Sequence, residues 1–132
     1  MTTMKVLVFI AQVYLGLYFL YNAYNHFKNR EGLAQYAQIR GVPSPSTAVP
    51  LTGLMHLGAG LSLLLGYTVA VGAWLGIIFL ILVSYFVHHY WTDEGMERVG
   101  QSVHFFKNLA IAAALLFVTF LPKETWVIRL GP

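Results

Sequence analysis

Residues Ser102 to Leu121 read SVHFFKNLAIAAALLFVTFL. His104, Lys107 and Asn108 stand at i, i+3 and i+4, so on a helix they share one face. From Leu109 onward thirteen residues carry no charge and only one polar side chain, Thr119. A polar face leads directly into an apolar span, which is the pattern of a helix entering lipid. Each of the other apolar runs also carries histidine near the same end of the bundle that results.

Composition extends this reading to the whole chain. Of 132 residues, 58% are hydrophobic and only 10% are charged, against about 25% charged in a soluble domain. Spans of about 20 residues fit at about 4–27, 47–66, 69–91 and 102–121, leaving short connections and a single membrane domain over residues 1–132. The expected fold is all-α, a transmembrane four-helix antiparallel bundle. Any chemistry must then lie inside the bundle or on its rims. The absence of cysteine excludes disulfides, thiol catalysis and cysteine-ligated clusters. A formal charge of +3 gives no case for nucleic acid, and basic residues in such a chain report topology instead. Three of them, Lys5, Lys123 and Arg129, fall on the side of the termini, and five, Lys28, Arg30, Arg40, Arg98 and Lys107, fall on the side of the longer loops. The positive-inside rule therefore puts the longer loops in the cytoplasm.

The first span opens with a lysine and an apolar core, as signal peptides do, but it is too long and lacks a small-residue cleavage site, so it is expected to be retained. Tyr14, Tyr18, Tyr21, Asn22, Asn25, His26 and Asn29 recur along it at spacings of three and four. This stripe has two readings, interfacial anchoring with helix-to-helix hydrogen bonds or a ligand-contacting face. REGLAQYAQIR, from Arg30 to Arg40, has the spacing of a short amphipathic helix lying among headgroups between the first two spans, and Gly41 supplies a stop. Prolines in VPSPSTAVP interrupt the helix, after which Ser46 or Thr47 can cap the second span with Pro50 in its first turn.

Gly53, Gly58, Ala59, Gly60 and Ser62 give the second span a small-residue surface suited to close helix approach. His56 lies two to three turns into it, where an ionisable side chain must face the bundle interior. The very short Gly66-Tyr67-Thr68 connection makes the second and third spans an antiparallel hairpin. The third carries Gly72 and Gly76 and ends in HHYW, with His88 and His89 about 100° apart if both are helical. Thr92 to Gln101 reads as a charged, solvated loop, Lys107 as a side chain reaching for the interface. The tail after Pro122 gives no readable signal.

Antiparallel order places His26, His88, His89 and His104 at one depth, with His56 deeper by about 10 Å, two turns of helix. The candidate site is this rim: His26, His56, His88, His104, Lys107 and Asn108. Imidazole, amide and ammonium donors suit a quinone carbonyl, and the neighbouring aromatics suit its ring. No cofactor is fixed by these residues. A b-type haem, held by His26 with His88 or His104, is the weaker option, and no metal site is read from the sequence.

In order of features the chain resembles the DoxX family of small four-helix membrane proteins. The resemblance runs through GLYFLYNAYNHF, EGLAQYAQIRGVP, the Gly-rich second span closing in LLLG, the HHYW end of the third span, and HFFKNLAIAAALL. It covers roughly residues 15 to 120, with FFKNLA and GVP its most specific pieces. His56 stands where the family commonly has a glutamate, so a role for that acid does not carry over directly. The resemblance implies a multi-pass protein of a bacterial or archaeal inner membrane, and for so small a chain no catalytic activity of its own is expected. On this reading it is an accessory or structural subunit of a larger redox or respiratory-type complex, packing against partner subunits or a second copy of itself. The alternative it implies is a quinone-binding subunit, since some members are similar to a membrane subunit of thiosulfate:quinone oxidoreductase.

Overall fold

A computed structural model describes residues 1–131, and among them it contains helices and no strand. Four helices are long and apolar enough to cross a membrane. In chain order these are α1 (Thr3–Lys28), α3 (Pro45–Leu65), α4 (Val69–Phe86) and α5 (Gly95–Thr119), with the short α2 (Arg30–Ile39) between the first two. Single 3-10 turns follow at Tyr90–Thr92 and Lys123–Thr125.

Local chemistry accounts for most of the boundaries. Gly41, at φ 83°, ends α2 in the left-handed region, and the Val42 and Gly41 amides donate to the carbonyls of Ala37 and Gln38 at 2.9 and 3.0 Å. That pair of bonds is the Schellman closure, which favours glycine at this position. Gly66 ends α3 in the same way at φ 61°. Pro45 occupies the first turn of α3, so the helix starts two residues before the expected 47 and Pro50 lies inside it.

Two boundaries differ from the sequence reading at the histidine end. The third span was expected to stay helical to residue 91, but α4 stops at Phe86. There the Val87 carbonyl accepts a 2.6 Å hydrogen bond from Arg40 Nε, and His88 and His89 leave the helix. The segment 92–101 was expected to be a loop, yet α5 begins at Gly95, after an extended Glu94, with Glu97 in its first turn. An acidic residue there meets the positive end of the helix dipole, so a charged stretch reads as loop while continuing the helix.

The spans pack in sequence, α1 on α3, α3 on α4 and α4 on α5, while α2 lies on α3. All four contribute to the core of Phe19, Ala59, Leu63, Ala73, Ile77, Leu80, Ala112 and Leu115. Small residues set the spacing. A Cβ on Gly60 would stand 2.9 Å from the Leu20 backbone nitrogen, and one on Gly16 would stand 2.8 Å from Leu64 Cα. Gly72 abuts Ser62, and Gly76 abuts Leu115 and Phe19, so both glycines of the third span sit at helix contacts.

Opposite the histidines, the tail folds back across the bundle. Gln12 is buried, and its Oε1 accepts from the Val127 and Ile128 amides at 3.2 and 3.1 Å. Its Nε2 donates to the Ile128 and Leu63 carbonyls at 2.6 and 3.2 Å. One glutamine therefore ties α1, α3 and the tail together, and the tail that carries no sequence signal has a fixed place.

Candidate functional site

α1 and α3 run in opposite directions, and side chains on a helix lean toward its N-terminus. His26, near the end of α1, therefore leans inward, while His56, well inside α3, leans back toward the rim. The two were expected about 10 Å apart in depth, but their ring centroids are 4.7 Å apart. Phe79 of α4 closes over the pair, 4.0 Å from the His56 ring and 5.8 Å from that of His26, and Phe19 lies 5.7 Å from His56.

Polar partners within this pair are unequal. His26 Nδ1 donates to the Asn22 carbonyl one turn back at 2.8 Å, which leaves Nε2 as the lone-pair nitrogen of the neutral ring. His56 is only 3% exposed, and both of its ring nitrogens are buried without a hydrogen-bond partner. Burying an unsatisfied donor or acceptor costs about 1–3 kcal/mol. Buried polar groups in folded chains are nearly always paired, so this one calls for an explanation.

His88 and His104 form a second pair on the rim. Their rings stack at 5.0 Å with 25° between planes. Lys107 Nζ donates to His104 Nδ1 at 3.2 Å, and both of those residues are exposed. His88 Nδ1 donates to Gln101 Oε1 at 2.7 Å, and Gln101 Nε2 donates to the Tyr36 hydroxyl at 2.8 Å. Asn108 is buried on the inner face of α5. His89 turns to its own backbone, meeting the Phe86 carbonyl at 3.0 Å. The rings that His26 meets are His56 and Phe79, not His88 or His104.

An ion pair clamps α2 to this rim. The Arg40 guanidinium grips Asp93 with two hydrogen bonds of 2.8 and 2.9 Å. This contact holds the Asp93 carboxyl below the usual carboxylate range, the hydrogen bond itself being the main cause. Arg40, Asp93, Gln101, Tyr36 and Phe79 were not singled out from the sequence. Arg40 and Asp93 lie 53 positions apart, one ending a stretch that reads as an interfacial helix and the other in a stretch that reads as a solvated loop, so no spacing rule joins them, and Phe79 reads as one apolar residue among many.

Comparison with known proteins agrees with this architecture. A family model described as DoxX matches residues 7–89, ending before the HFFKNLA stretch. The chain is 30% identical over 114 residues to inner membrane protein YphA of Escherichia coli (strain K12), an alignment that covers 86% of this chain and 81% of that one. No solved structure matches. Four apolar spans, the family model and the inner-membrane relative lead to one conclusion: this chain belongs to the DoxX family and is a multi-pass integral protein of the inner membrane.

Proposed function

We propose that the protein is an accessory subunit that docks against a partner in the membrane through the outer face of α1. The observation that carries this reading is Tyr14, which is 72% exposed. It stands about 16 Å from the start of α1 and about 21 Å from its end, at 1.5 Å per residue. That is mid-bilayer, too deep for the hydroxyl to reach water, whereas tyrosines facing lipid collect at the interfaces. Tyr18 and Tyr21, the latter 68% exposed, continue the same face toward the rim. A partner helix offering hydrogen-bond acceptors suits this stripe better than acyl chains do. α1 also lies on the flank of the helix row, where its span is 17% buried against 39% for the third span.

A photo-crosslinking residue at Tyr14 tests this in native membranes. A discrete protein adduct is expected from that position and none from Phe117, which is exposed on α5. Labelling of lipid alone at position 14 would sink the docking reading. The second reading, a quinone-binding subunit, is favoured by the exposed Lys107 and His104 beside the stacked His88. These supply donors and flat rings at the depth of a quinone headgroup. Its test is protection of His104 from chemical modification by a short-chain quinone.

A further inference from the structure

We infer that the cleft between the start of α4, the end of α5 and the tail binds the phosphate of an anionic phospholipid, a site separate from the α1 docking face. The cleft holds about 210 Å³ and is bordered by Lys123, Trp126 and Arg129 of the tail, by Val69 and Val71 at the head of α4, and by Leu121 beyond α5. Pockets for whole drug-sized ligands run to about 300–1,000 Å³, so this one suits a single headgroup. Val69 is the first helical residue of its span and Thr119 the last of its own. The cleft therefore lies at the edge of the hydrocarbon layer, the level of the lipid phosphates.

Charge selects the guest. Lys123 and Arg129 are exposed, and among the described residues every ion pair is made by Arg40, on the histidine side of the bundle. Glu124, the acid nearest in sequence, does not border the cleft. Lys5, the other basic side chain at this end, is committed to the backbone carbonyls of Glu124 and Thr125. The cleft thus carries two positive charges and no negative one. The fold keeps Arg129 in place, since Gln12 accepts from the Val127 and Ile128 amides and the Leu130 amide donates to the Leu65 carbonyl at 2.9 Å. Its backbone is tied on both sides while its side chain is left to the surface. A guanidinium and an ammonium donate charge-assisted hydrogen bonds to phosphate oxygens. Snorkelling alone accounts for a basic side chain at a span end, but gives no reason for a cleft between two of them. On the expected orientation this is also the outer side, where the positive-inside rule asks for no cations. Val71 and Leu121 are exposed and offer apolar surface to the acyl chains of the same lipid.

The test uses the full chain in detergent, stripped of lipid, with binding of short-chain phosphatidylglycerol compared with short-chain phosphatidylcholine by native mass spectrometry. One tightly held phosphatidylglycerol per chain is expected, with phosphatidylcholine bound more weakly. Lys123→Gln and Arg129→Gln should each weaken phosphatidylglycerol about fivefold, and the two together about thirtyfold, the scale of one basic side chain near an anionic lipid. Lys28→Gln with Arg30→Gln removes the same charge at the histidine end and should leave the affinity unchanged. All four side chains are exposed, thermal unfolding checks that each variant folds, and the single variants decide the matter if a double variant does not. Four outcomes overturn the proposal. These are equal binding of the two lipids, a Lys28 and Arg30 double variant that loses as much as the Lys123 and Arg129 one, and folded Lys123 and Arg129 variants that bind as before. The fourth is displacement of the lipid by inorganic phosphate at equal concentration, which would make the cleft a site for a free anion.

Discussion

At the scale of single residues, the buried imidazole of His56 is a cost that the fold carries. Replacing an unpartnered polar group by an apolar one of similar size removes a desolvation penalty of about 1–3 kcal/mol. The His56→Leu variant should therefore unfold at a temperature equal to or above that of the parent. A clear drop would mean that the imidazole has partners that the present geometry lacks. The glycines make the opposite case. Gly76 touches Leu115 and Phe19, and Gly60 meets backbone, so Gly76→Leu and Gly60→Leu each overpack a contact and should cost about 1–3 kcal/mol or more. Gly32 has nothing within 4 Å of its Cβ position, and Gly32→Leu should leave the unfolding temperature nearly unchanged. Similar losses for all three variants would remove the packing argument. Gly72 and Gly76 stand out in the sequence by their spacing. Gly16 does not, because a lone glycine in an apolar run gives no hint of which helix will come to it.

At the scale of elements, α2 and the end of α4 define each other. Arg40 holds the carbonyl of Val87, the residue that caps α4, and grips Asp93 beyond it, so the chain leaves α4 where α2 packs against it. The Asp93 carboxyl titrates below its usual range, so the clamp contributes fully above the ordinary carboxylate pKa and is lost as pH falls through the lowered one. Hydrogen exchange in α2, corrected for the intrinsic amide rate at each pH, should be flat from neutral pH to mild acid and should rise only below the usual carboxylate range. Asp93→Asn should raise it already at pH 7. Exchange that climbs through pH 6 to 5, or an Asp93→Asn variant indistinguishable from the parent, would assign the hold on α2 to something else. The amphipathic period of residues 30 to 40 and the stop at Gly41 were legible, since both follow from local backbone chemistry. The clamp was not, because its two ends meet only after the spans have packed.

For the whole molecule, the charge count leads us to expect both termini outside and the histidine rim on the cytoplasmic side. A C-terminal reporter that is active only in the cytoplasm should give no signal, and strong activity would reverse the orientation. Gln12 and Lys5 bring the tail back over the N-terminal end of α1, on the side of the bundle opposite the histidines. The number of spans and their order were legible in the sequence, because hydropathy and turn residues act over lengths shorter than one helix. The gathering of histidines into one half of the membrane was settled there too, since short connections force neighbouring spans to alternate. The pairing among those histidines was decided only by tertiary structure. His26 meets His56 because opposite-running helices tilt their side chains toward each other. His88 meets His104 because Arg40 helps to end α4 one turn early and frees the chain to turn. Both depend on contacts between residues tens of positions apart, and such contacts leave no periodic mark in the chain.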